Sequence, residues 1–178
     1  MSSFVELSTA TASNSGSVSL TGITSDYNTC VLYYSDVVPA TDCADLTGRF
    51  TQGGSPNTNS NYVMGLAYAR SDQSFISSQY NNLGLAGRNQ ISLSGSADNS
   101  STSGQCGVAY IYSANDSSDN TKMVVYNNYL ACNGGTFINL GQFEGAILKE
   151  LTTVDGIQVF FDEGNITKGN FVLYGLKE

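Results

Sequence analysis

Three pairs of carboxylate residues lie close enough together in the sequence to suggest acid–base chemistry. The pairs are Asp162 with Glu163, Asp116 with Asp119, and Asp42 with Asp45. Two carboxyl groups about 5–9 Å apart are sufficient to hydrolyse a glycosidic bond. Each pair, however, lies among turn-forming residues, where Asp side chains commonly accept hydrogen bonds from the backbone. The pairs therefore predict turns. A small glycan-cleaving enzyme is accordingly less favoured than the two non-enzymatic functions considered below.

The rest of the sequence lacks the groups that many enzymes and metal sites use. There is no histidine, which excludes histidine-based triads and imidazole metal ligands. Neither a nucleotide-binding fingerprint nor a D-x-D-x-D-G calcium loop occurs. We therefore predict that the protein is not an enzyme and has no catalytic residue, no metal ligand and no cofactor.

The four cysteines are the next candidates for chemistry. They are Cys30, Cys43, Cys106 and Cys132. Their spacing contains no C-x-x-C motif, and without histidine a zinc site is not expected. Synthesis in a cytoplasm favours free thiols. Cys30 and Cys106 lie in alternating apolar stretches, so we predict that both are small core residues.

The eleven tyrosines could form a surface that binds carbohydrate or a receptor, since each ring offers an apolar face and a hydroxyl group. Four of them occur at the spacing of core residues: Tyr34, Tyr62, Tyr110 and Tyr174. We predict that these four pack in the core with their hydroxyl groups at its rim. The sequence has no tryptophan, which also weakens the interpretation as a sugar-binding platform.

The charge of the chain bears on its partners. The net charge is −8, and the seven basic residues are scattered, so we expect no nucleic-acid partner. Only 12% of residues are charged, against a usual value of about 25%. Solvated faces must then carry Ser, Thr, Asn and Gly, as in many extracellular or virion β proteins. No apolar run approaches the roughly 18 residues of a membrane span, and no signal peptide is recognisable, so we expect no membrane association.

The elements that would position these residues are strands. At the end of the chain, Ile157, Val159 and Phe161 alternate, and the run from Phe171 to Tyr174 is apolar on both faces. Residues 106–112 alternate most clearly, and residues 52–61 and 94–104 are the plainest loops. Residues 75–76 are ambiguous between loop and strand. Residues 143–151 are the only modest helix candidate, with a strand and bend as the alternative.

This pattern predicts an all-β fold, a single jelly-roll-like antiparallel β-sandwich of about eight to ten strands. One domain covers residues 1–178. Residues 1–8 are either an N-terminal arm or an edge strand, and their apolar members are Phe4, Val5 and Leu7.

Both ends of the chain resemble the small virion structural proteins of tailed bacteriophages. The ending, residues 169–177, has the pattern Gly-x-Phe-x-Leu-Tyr-Gly-Leu-Lys, and the opening, residues 4–23, has a short apolar stretch, a Ser/Thr/Gly-rich strand and a Gly-Ile turn. Between them lie an Asp26-Tyr27 pair before the strand at residues 30–34, and an Arg49-Phe50 strand before a polar loop. The resemblance implies a jelly-roll-like domain in a capsid decoration (cement) protein or a tail-fibre module.

The resemblance leads to a mechanical function as the first expectation. The protein would bind the outer shell of a virion and stabilise it, with the major capsid protein or other virion proteins as partners. By analogy we expect a homo-oligomer, a trimer, made in the host cytoplasm and located on the virion. Phe4, Val5 and Leu7 are the predicted partner contact, formed by strand addition. The alternative is a receptor-binding module of a tail fibre, with the loops at residues 52–61 and 94–104 as its recognition surface.

Overall fold

A computed structural model describes residues 3–72, 87–132 and 138–177, and these residues form strands, turns and loops without a helix. The twelve strands are β1 (Ser3–Ser15), β2 (Val18–Thr21), β3 (Thr29–Pro39), β4 (Ala44–Gln52), β5 (Ser55–Pro56), β6 (Tyr62–Arg70), β7 (Ile91–Ala97), β8 (Gln105–Tyr112), β9 (Lys122–Ala131), β10 (Ile138–Leu148), β11 (Gly156–Phe161) and β12 (Ile166–Lys177). The all-β prediction is confirmed. The strand number exceeds the predicted eight to ten, and the two-residue β5 lies within the predicted loop 52–61. The ambiguous residues 75–76 lie outside the described residues.

The strands pair antiparallel in the order β1-β12-β3-β8-β9-β7-β4-β11-β2, with β10 between β9 and β6. Seven strands, β1-β12-β3-β8-β9-β10-β6, form one layer, and β7-β4-β11-β2 form a second layer over it. The layers join at one end of β9, where Ala131 pairs with Ala97. At the opposite margin β1 lies against β2, so the sheet curls until its ends almost meet. This arrangement is consistent with the predicted β-sandwich.

Strand β10 occupies most of the segment that contained the helix candidate. Its residues alternate between buried and exposed from Ile138 to Leu148, and the chain bends at Glu150. The helix alternative is therefore wrong. The physical reason is that β9 and β6 flank β10 and supply hydrogen-bond partners along both of its edges. None of the described segments forms a helix that could cross a lipid bilayer.

The core lies between the two layers and contains the largest buried rings. Tyr34 stacks on Phe171 with ring centroids 6.4 Å apart, and Phe50 lies 6.1 Å from Tyr62. The Tyr62 hydroxyl accepts a hydrogen bond from the Phe50 backbone N–H at 3.0 Å. The core prediction is thus confirmed for Tyr34 and Tyr62, which are fully buried.

The core prediction is wrong for Tyr110 and Tyr174, which are only partly buried, and for Cys106, which is exposed. The predicted alternation of β8 is present, but the side that carries Cys106 and Tyr110 is not the side that faces the core. Ala109 and Ile111 are fully buried, so the tyrosine and cysteine side of β8 faces outward.

The cysteines also depart from the prediction of free thiols. Cys43 and Cys132 form a disulfide bond, with their Cα atoms 5.1 Å apart. They are 89 residues apart in the sequence. The end of β7 brings them together, because the Cys43 N–H donates to the Ala97 carbonyl oxygen and the Cys132 N–H donates to the Ser96 carbonyl oxygen. Cys30 is buried as predicted, and burial raises the pKa of its thiol to about 11.

Residues 3–8 belong to β1 and form an edge strand rather than a separate arm. Phe4 pairs with Leu176 and Val5 with Gly175 of β12, and the register shifts between Glu6 and Ser8. The outer edge of an edge strand can add a further strand from a partner chain.

Removing the disulfide should lower stability without changing the fold. A link across 89 residues restricts the unfolded chain, and the chain-entropy relation gives about 4–5 kcal/mol for a loop of that size. We expect the Cys43→Ser/Cys132→Ser double variant to lose about 2–5 kcal/mol in the free energy of unfolding, measured by urea denaturation. The matched control, Cys106→Ser, should unfold like the wild type. Equal midpoints for all three proteins would contradict the prediction.

Candidate binding face and polar cleft

The outward side chains of β1, β12, β3, β8, β9 and β10 form a broad apolar surface, which we call the outer face. Two rows of directly paired residues run across these strands. One row is Tyr174, Val31, Tyr110 and Val124, and the other is Val172, Tyr33, Val108, Tyr126 and Phe143. Directly paired residues of antiparallel strands project to the same side of a sheet, so these side chains are neighbours.

The outer face is exposed and nearly free of charge. Five of its rings expose between 38% and 57% of their surface: Phe4, Tyr33, Tyr112, Tyr126 and Phe143. The charged residues that the described strands contribute to it lie near its margins: Glu6, Lys122 and the ion pair between Lys168 and Asp36. A ring side chain has about 150–250 Å² of surface, so these five leave on the order of 500 Å² of aromatic surface in water. Patches of this size on soluble proteins are often functional.

The rings of the outer face also contact one another. The Tyr126 and Phe143 centroids are 5.3 Å apart, and Phe4 meets Tyr174 edge-on at 6.4 Å. Phe4, Tyr174, Tyr110, Tyr33 and Val31 surround a depression of about 390 Å³. The face is therefore continuous from the edge strand β1 to β10.

The three predicted contact residues do not lie together. Phe4 is 57% exposed and belongs to the outer face. Leu7 packs against the main core, and Val5 is partly buried. A partner contact by all three residues stays a prediction, and the structure places only Phe4 where a partner could meet the aromatic surface.

A polar cleft opens at the other side of the molecule, where β6, β10 and the end of β9 extend beyond the second layer. Its volume is about 510 Å³. Its lining residues come from β4, β6, β7, β9, β10 and the turn before β7: Asp45, Met64, Leu66, Tyr68, Arg70, Arg88, Ser92, Gly95, Ser96, Tyr129, Ala131, Cys132, Leu140 and Gln142. Cys132 places the disulfide at the cleft.

A row of polar residues leads from this cleft into the core. Gln142 pairs with Tyr68 of β6 on one side and with Asn127 of β9 on the other. Asn127 in turn lies opposite Gly107, which lies opposite Tyr34. A Cβ atom on Gly107 would lie 2.3 Å from the Tyr34 hydroxyl oxygen, so glycine is needed where this ring crosses the strand. Asn127 donates a hydrogen bond to the Leu93 carbonyl oxygen of the second layer.

Glu144 lies beside this row and is fully buried. Its Oε2 accepts a hydrogen bond from Gln142 Nε2 at 3.1 Å, and Gln142 Oε1 accepts one from the Tyr129 hydroxyl at 3.3 Å. Its Oε1 has no hydrogen-bond partner among the described residues. Burial raises the pKa of Glu144 from 4.5 to about 8, and the hydrogen bond from Gln142 and the nearby polar groups of Ser92 offset only part of this effect. The carboxyl group is therefore mostly protonated at neutral pH.

Asp45 is a second carboxyl group at the cleft. Burial raises its pKa to about 6, and the nearby Asp162 carboxylate contributes to the rise. The Asp45 backbone N–H donates to Asp162 Oδ1 at 2.8 Å, so the structure joins one member from each of two predicted pairs. The other members, Asp42 and Glu163, are exposed in turns.

The third predicted pair forms a turn, as expected from its residue types. Asp116 Oδ1 accepts a hydrogen bond from the Ser118 N–H at 2.8 Å. Asp119 forms an ion pair with Lys122 at 2.6 Å. Both Asp pKa values lie below the ordinary value because these side-chain hydrogen bonds stabilise the carboxylates.

The polar loop at residues 52–61 is tied to a single carboxylate. Glu150 accepts hydrogen bonds from four side-chain amides, those of Gln52, Asn57, Asn59 and Asn61, at 2.5–3.2 Å. These bonds outweigh the effect of burial and lower its pKa. The loop is thus held in one conformation by its own side chains. Of the other predicted loop, residues 94–97 belong to β7.

One cluster of possible metal ligands occurs within the described ranges, namely Asp42, Cys43 and Cys132. Both sulfur atoms are already joined in the disulfide bond, so this cluster does not offer thiolate ligands. Comparison of the chain with protein-family models, curated proteins and solved structures finds no match. The candidate sites therefore depend on the geometry of this chain alone.

The buried polar residues were not predicted, although a signal for them exists in the sequence. Glu144 is an even number of residues from Leu140 and Leu148, so the three side chains lie on the same face of a strand. A single strand over residues 138–148 therefore places Glu144 on the inner face. Asn127 likewise shares parity with Met123 and Val125 in β9. The helix alternative for residues 143–151 obscured the first signal.

The buried carboxyl group should make stability depend on pH. The folded state favours protonated Glu144, whereas the unfolded chain ionises near 4.5, so stability should fall as pH rises from 5 to 8. The expected loss is on the order of a few kcal/mol, because one pKa unit corresponds to about 1.4 kcal/mol. Glu144→Gln replaces the carboxyl group by an uncharged amide of the same size. The thermal midpoint of this variant should therefore change less over this pH range. Glu163→Gln, an exposed control, should follow the wild type. Parallel profiles for all three proteins would show that Glu144 is not buried as a neutral acid.

Proposed function

We propose that this protein is a bacteriophage virion structural protein, a capsid decoration protein that docks on the outer shell through its outer face. The observation that carries the proposal is the continuous, nearly uncharged aromatic surface across six strands. The virion assignment itself rests on the resemblance of residues 4–23 and 169–177 to small virion proteins of tailed phages.

The size and chemistry of the outer face suit a protein partner. A stable interface buries about 800 Å² on each partner, and the rings alone provide on the order of 500 Å². Aromatic residues are enriched, and charged residues depleted, at the centre of such interfaces. Few charges would have to lose their hydration when this face is covered. A broad sheet surface also matches a wide, shallow contact with a shell rather than insertion of a peptide.

Two further features support exposure on a particle. Disulfide bonds persist on virion and cell surfaces, where the environment is oxidising, so the Cys43–Cys132 bond suits that setting. Hydrogen bonds between paired strands extend over most of the described chain. Such a fold suits a protein that must resist mechanical force. The proposed mechanism is mechanical: each bound copy adds buried contact area between subunits of the shell.

The oligomeric state remains part of the proposal. A trimer is proposed only by analogy with decoration proteins. The short strand β2 lies against only part of the outer edge of β1 (Ser3–Ser15). The remaining edge and the outer face are separate surfaces, so one could join copies while the other binds the shell.

A receptor-binding module of a tail fibre is the second candidate, favoured by the ordered polar loop at residues 52–61. Four amide side chains hold this loop on Glu150, so its conformation is set before any partner arrives. Preorganised loops bind with a smaller loss of conformational entropy. The loop lies apart from the rows that form the outer face, so the two candidates predict different binding residues.

The position of the protein on a particle separates these candidates. Gold-labelled antibody against the protein should decorate the heads of intact phage particles that encode it, viewed by electron microscopy. Label at the tail tip would favour the receptor-binding function instead. Particles without label would overturn the virion assignment.

Placing charge on the outer face should reduce occupancy of the shell. We expect Tyr33→Glu/Tyr126→Glu to lower the number of copies per particle at least tenfold, because two buried carboxylates would lack partners in the interface. Occupancy is measured by quantitative gel analysis after re-addition of protein to particles that lack it. Leu151→Glu is the matched control, since Leu151 is 64% exposed but lies in the loop after β10.

Equal occupancy for the double variant and the wild type would overturn docking through the outer face. Light scattering then shows whether the double variant has also changed its mass in solution. In that case the outer face joins copies of this chain rather than binding the shell.

A further inference from the structure

The polar cleft contains chemistry that the fold does not require. Glu144 is fully buried, and its Oε1 has no hydrogen-bond partner in the described part of the chain. Burying an unsatisfied polar group costs about 1–3 kcal/mol by mutational evidence. The next two inner positions of the same strand, Ala146 and Leu148, are apolar core residues. An apolar residue at position 144 would therefore serve the core better, which points to a role outside the core.

The hydrogen bonds of Glu144 lead toward the cleft. Glu144 binds Gln142, which lines the cleft and is itself 95% buried, since its exposed fraction is 5%. Gln142 also binds the Tyr129 hydroxyl, another group of the lining. Gly95 permits this arrangement, because a Cβ atom there would lie 2.7 Å from the Tyr129 hydroxyl oxygen. The polar groups at the base of the cleft are thus fixed in position by their neighbours.

The walls of the cleft combine apolar and hydrogen-bonding groups. Met64, Leu66 and Leu140 provide apolar surface on one side. Ser92 and Ser96 of β7 provide hydroxyl groups on the other side, and the Ser96 hydroxyl donates to Asp45 Oδ1 at 3.3 Å. Ligand sites in proteins typically have this composition, with a few fixed polar groups in an apolar cavity of about 300–1,000 Å³.

The lining of the cleft contains charged groups of both signs. Asp45 carries the negative charge, and Arg88 is close enough to interact with it electrostatically. Arg70, also in the lining, forms an ion pair with Asp72 at 2.8 Å. A charged ligand would therefore meet a group of its own sign. A neutral ligand with many hydroxyl groups can use the carboxylate as an acceptor and the guanidinium as a donor.

We propose that this cleft is a binding site for a neutral saccharide. The C–H faces of the sugar contact the apolar wall, and its hydroxyl groups exchange hydrogen bonds with Gln142, Ser92 and Asp45. The cleft volume of about 510 Å³ accommodates a mono- or disaccharide. The inference is independent of the outer face and of the virion assignment, since it uses residues on the inner side of β6, β9 and β10 and on β4 and β7.

An array of defined neutral oligosaccharides, built from hexoses and N-acetylhexosamines, tests the proposal with the purified full-length protein. At least one oligosaccharide should bind saturably, and calorimetric titration of the strongest should give one site per chain. Ser96→Trp should weaken binding at least tenfold, because the indole fills the mouth of the cleft. Ser13→Trp, an exposed serine on β1, is the matched control and should bind like the wild type.

A second variant separates loss of the site from loss of the fold. Gln142→Ala should weaken binding at least tenfold while the thermal unfolding transition remains cooperative, because the amide fixes the base of the cleft. Binding to no oligosaccharide on the array would overturn the proposal. Undiminished binding by Ser96→Trp, or an equal loss in Ser13→Trp, would likewise show that this cleft is not the saccharide site.

Discussion

A strand has only two hydrogen-bonding edges, and the way β9 shares its edges determines the form of this molecule. Strand β10 occupies one edge along the full length of β9. Strand β8 occupies the other edge only as far as Asn128, and β7 takes over at Ala131. Strand β7, and the strands β4, β11 and β2 that pair beyond it, therefore lie outside the plane of the first layer. Both the sandwich and the cleft beside β10 follow from this division.

The division also explains why the two sides of the first layer differ so strongly. Its inner side is covered by the second layer near β3 and β8, and there it carries residues such as Leu32 and Ile111. Beside the cleft, Gln142 and Glu144 of β10 take buried inner positions, whereas Ala146 and Leu148 of the same strand belong to the apolar core. Within residues 3–72, 87–132 and 138–177, no second layer covers the outer side, yet it carries Tyr33, Tyr126 and Phe143. A surface that is apolar without intramolecular cover is the feature on which the proposed docking depends.

The strands were largely predictable because burial with period two leaves a direct trace in the sequence. What a period cannot reveal is which of two apolar sides faces the core, and β8 illustrates this limit. One side of β8 carries Val108, Tyr110 and Tyr112, and the other carries Ala109 and Ile111, so both sides are apolar. Periodicity alone placed Tyr110 in the core, whereas Ala109 and Ile111 are the buried residues.

The disulfide and the cleft depended on contacts between distant segments. Cys43 and Cys132 meet only because β7 links β4 to the end of β9, and no local pattern contains that information. The cleft likewise joins Asp45 to residues of β10 about a hundred positions away. Glu144 was different, because the parity of β10 contained the signal and the competing helix interpretation concealed it.

The near absence of charge on the outer face has a consequence for the protein in solution. A net charge of −8 must be carried mainly by the turns, the loops and the second layer. The negative charge is thus concentrated away from the outer face, and long-range repulsion between copies acts mainly through the rest of the surface. Salt screens such repulsion over about 10 Å at 0.1 M, and acidification toward the isoelectric point near 4.2 removes it. Once the repulsion is weakened, two copies can approach through their outer faces with little loss of charge hydration, so self-association competes with any other partner for this face.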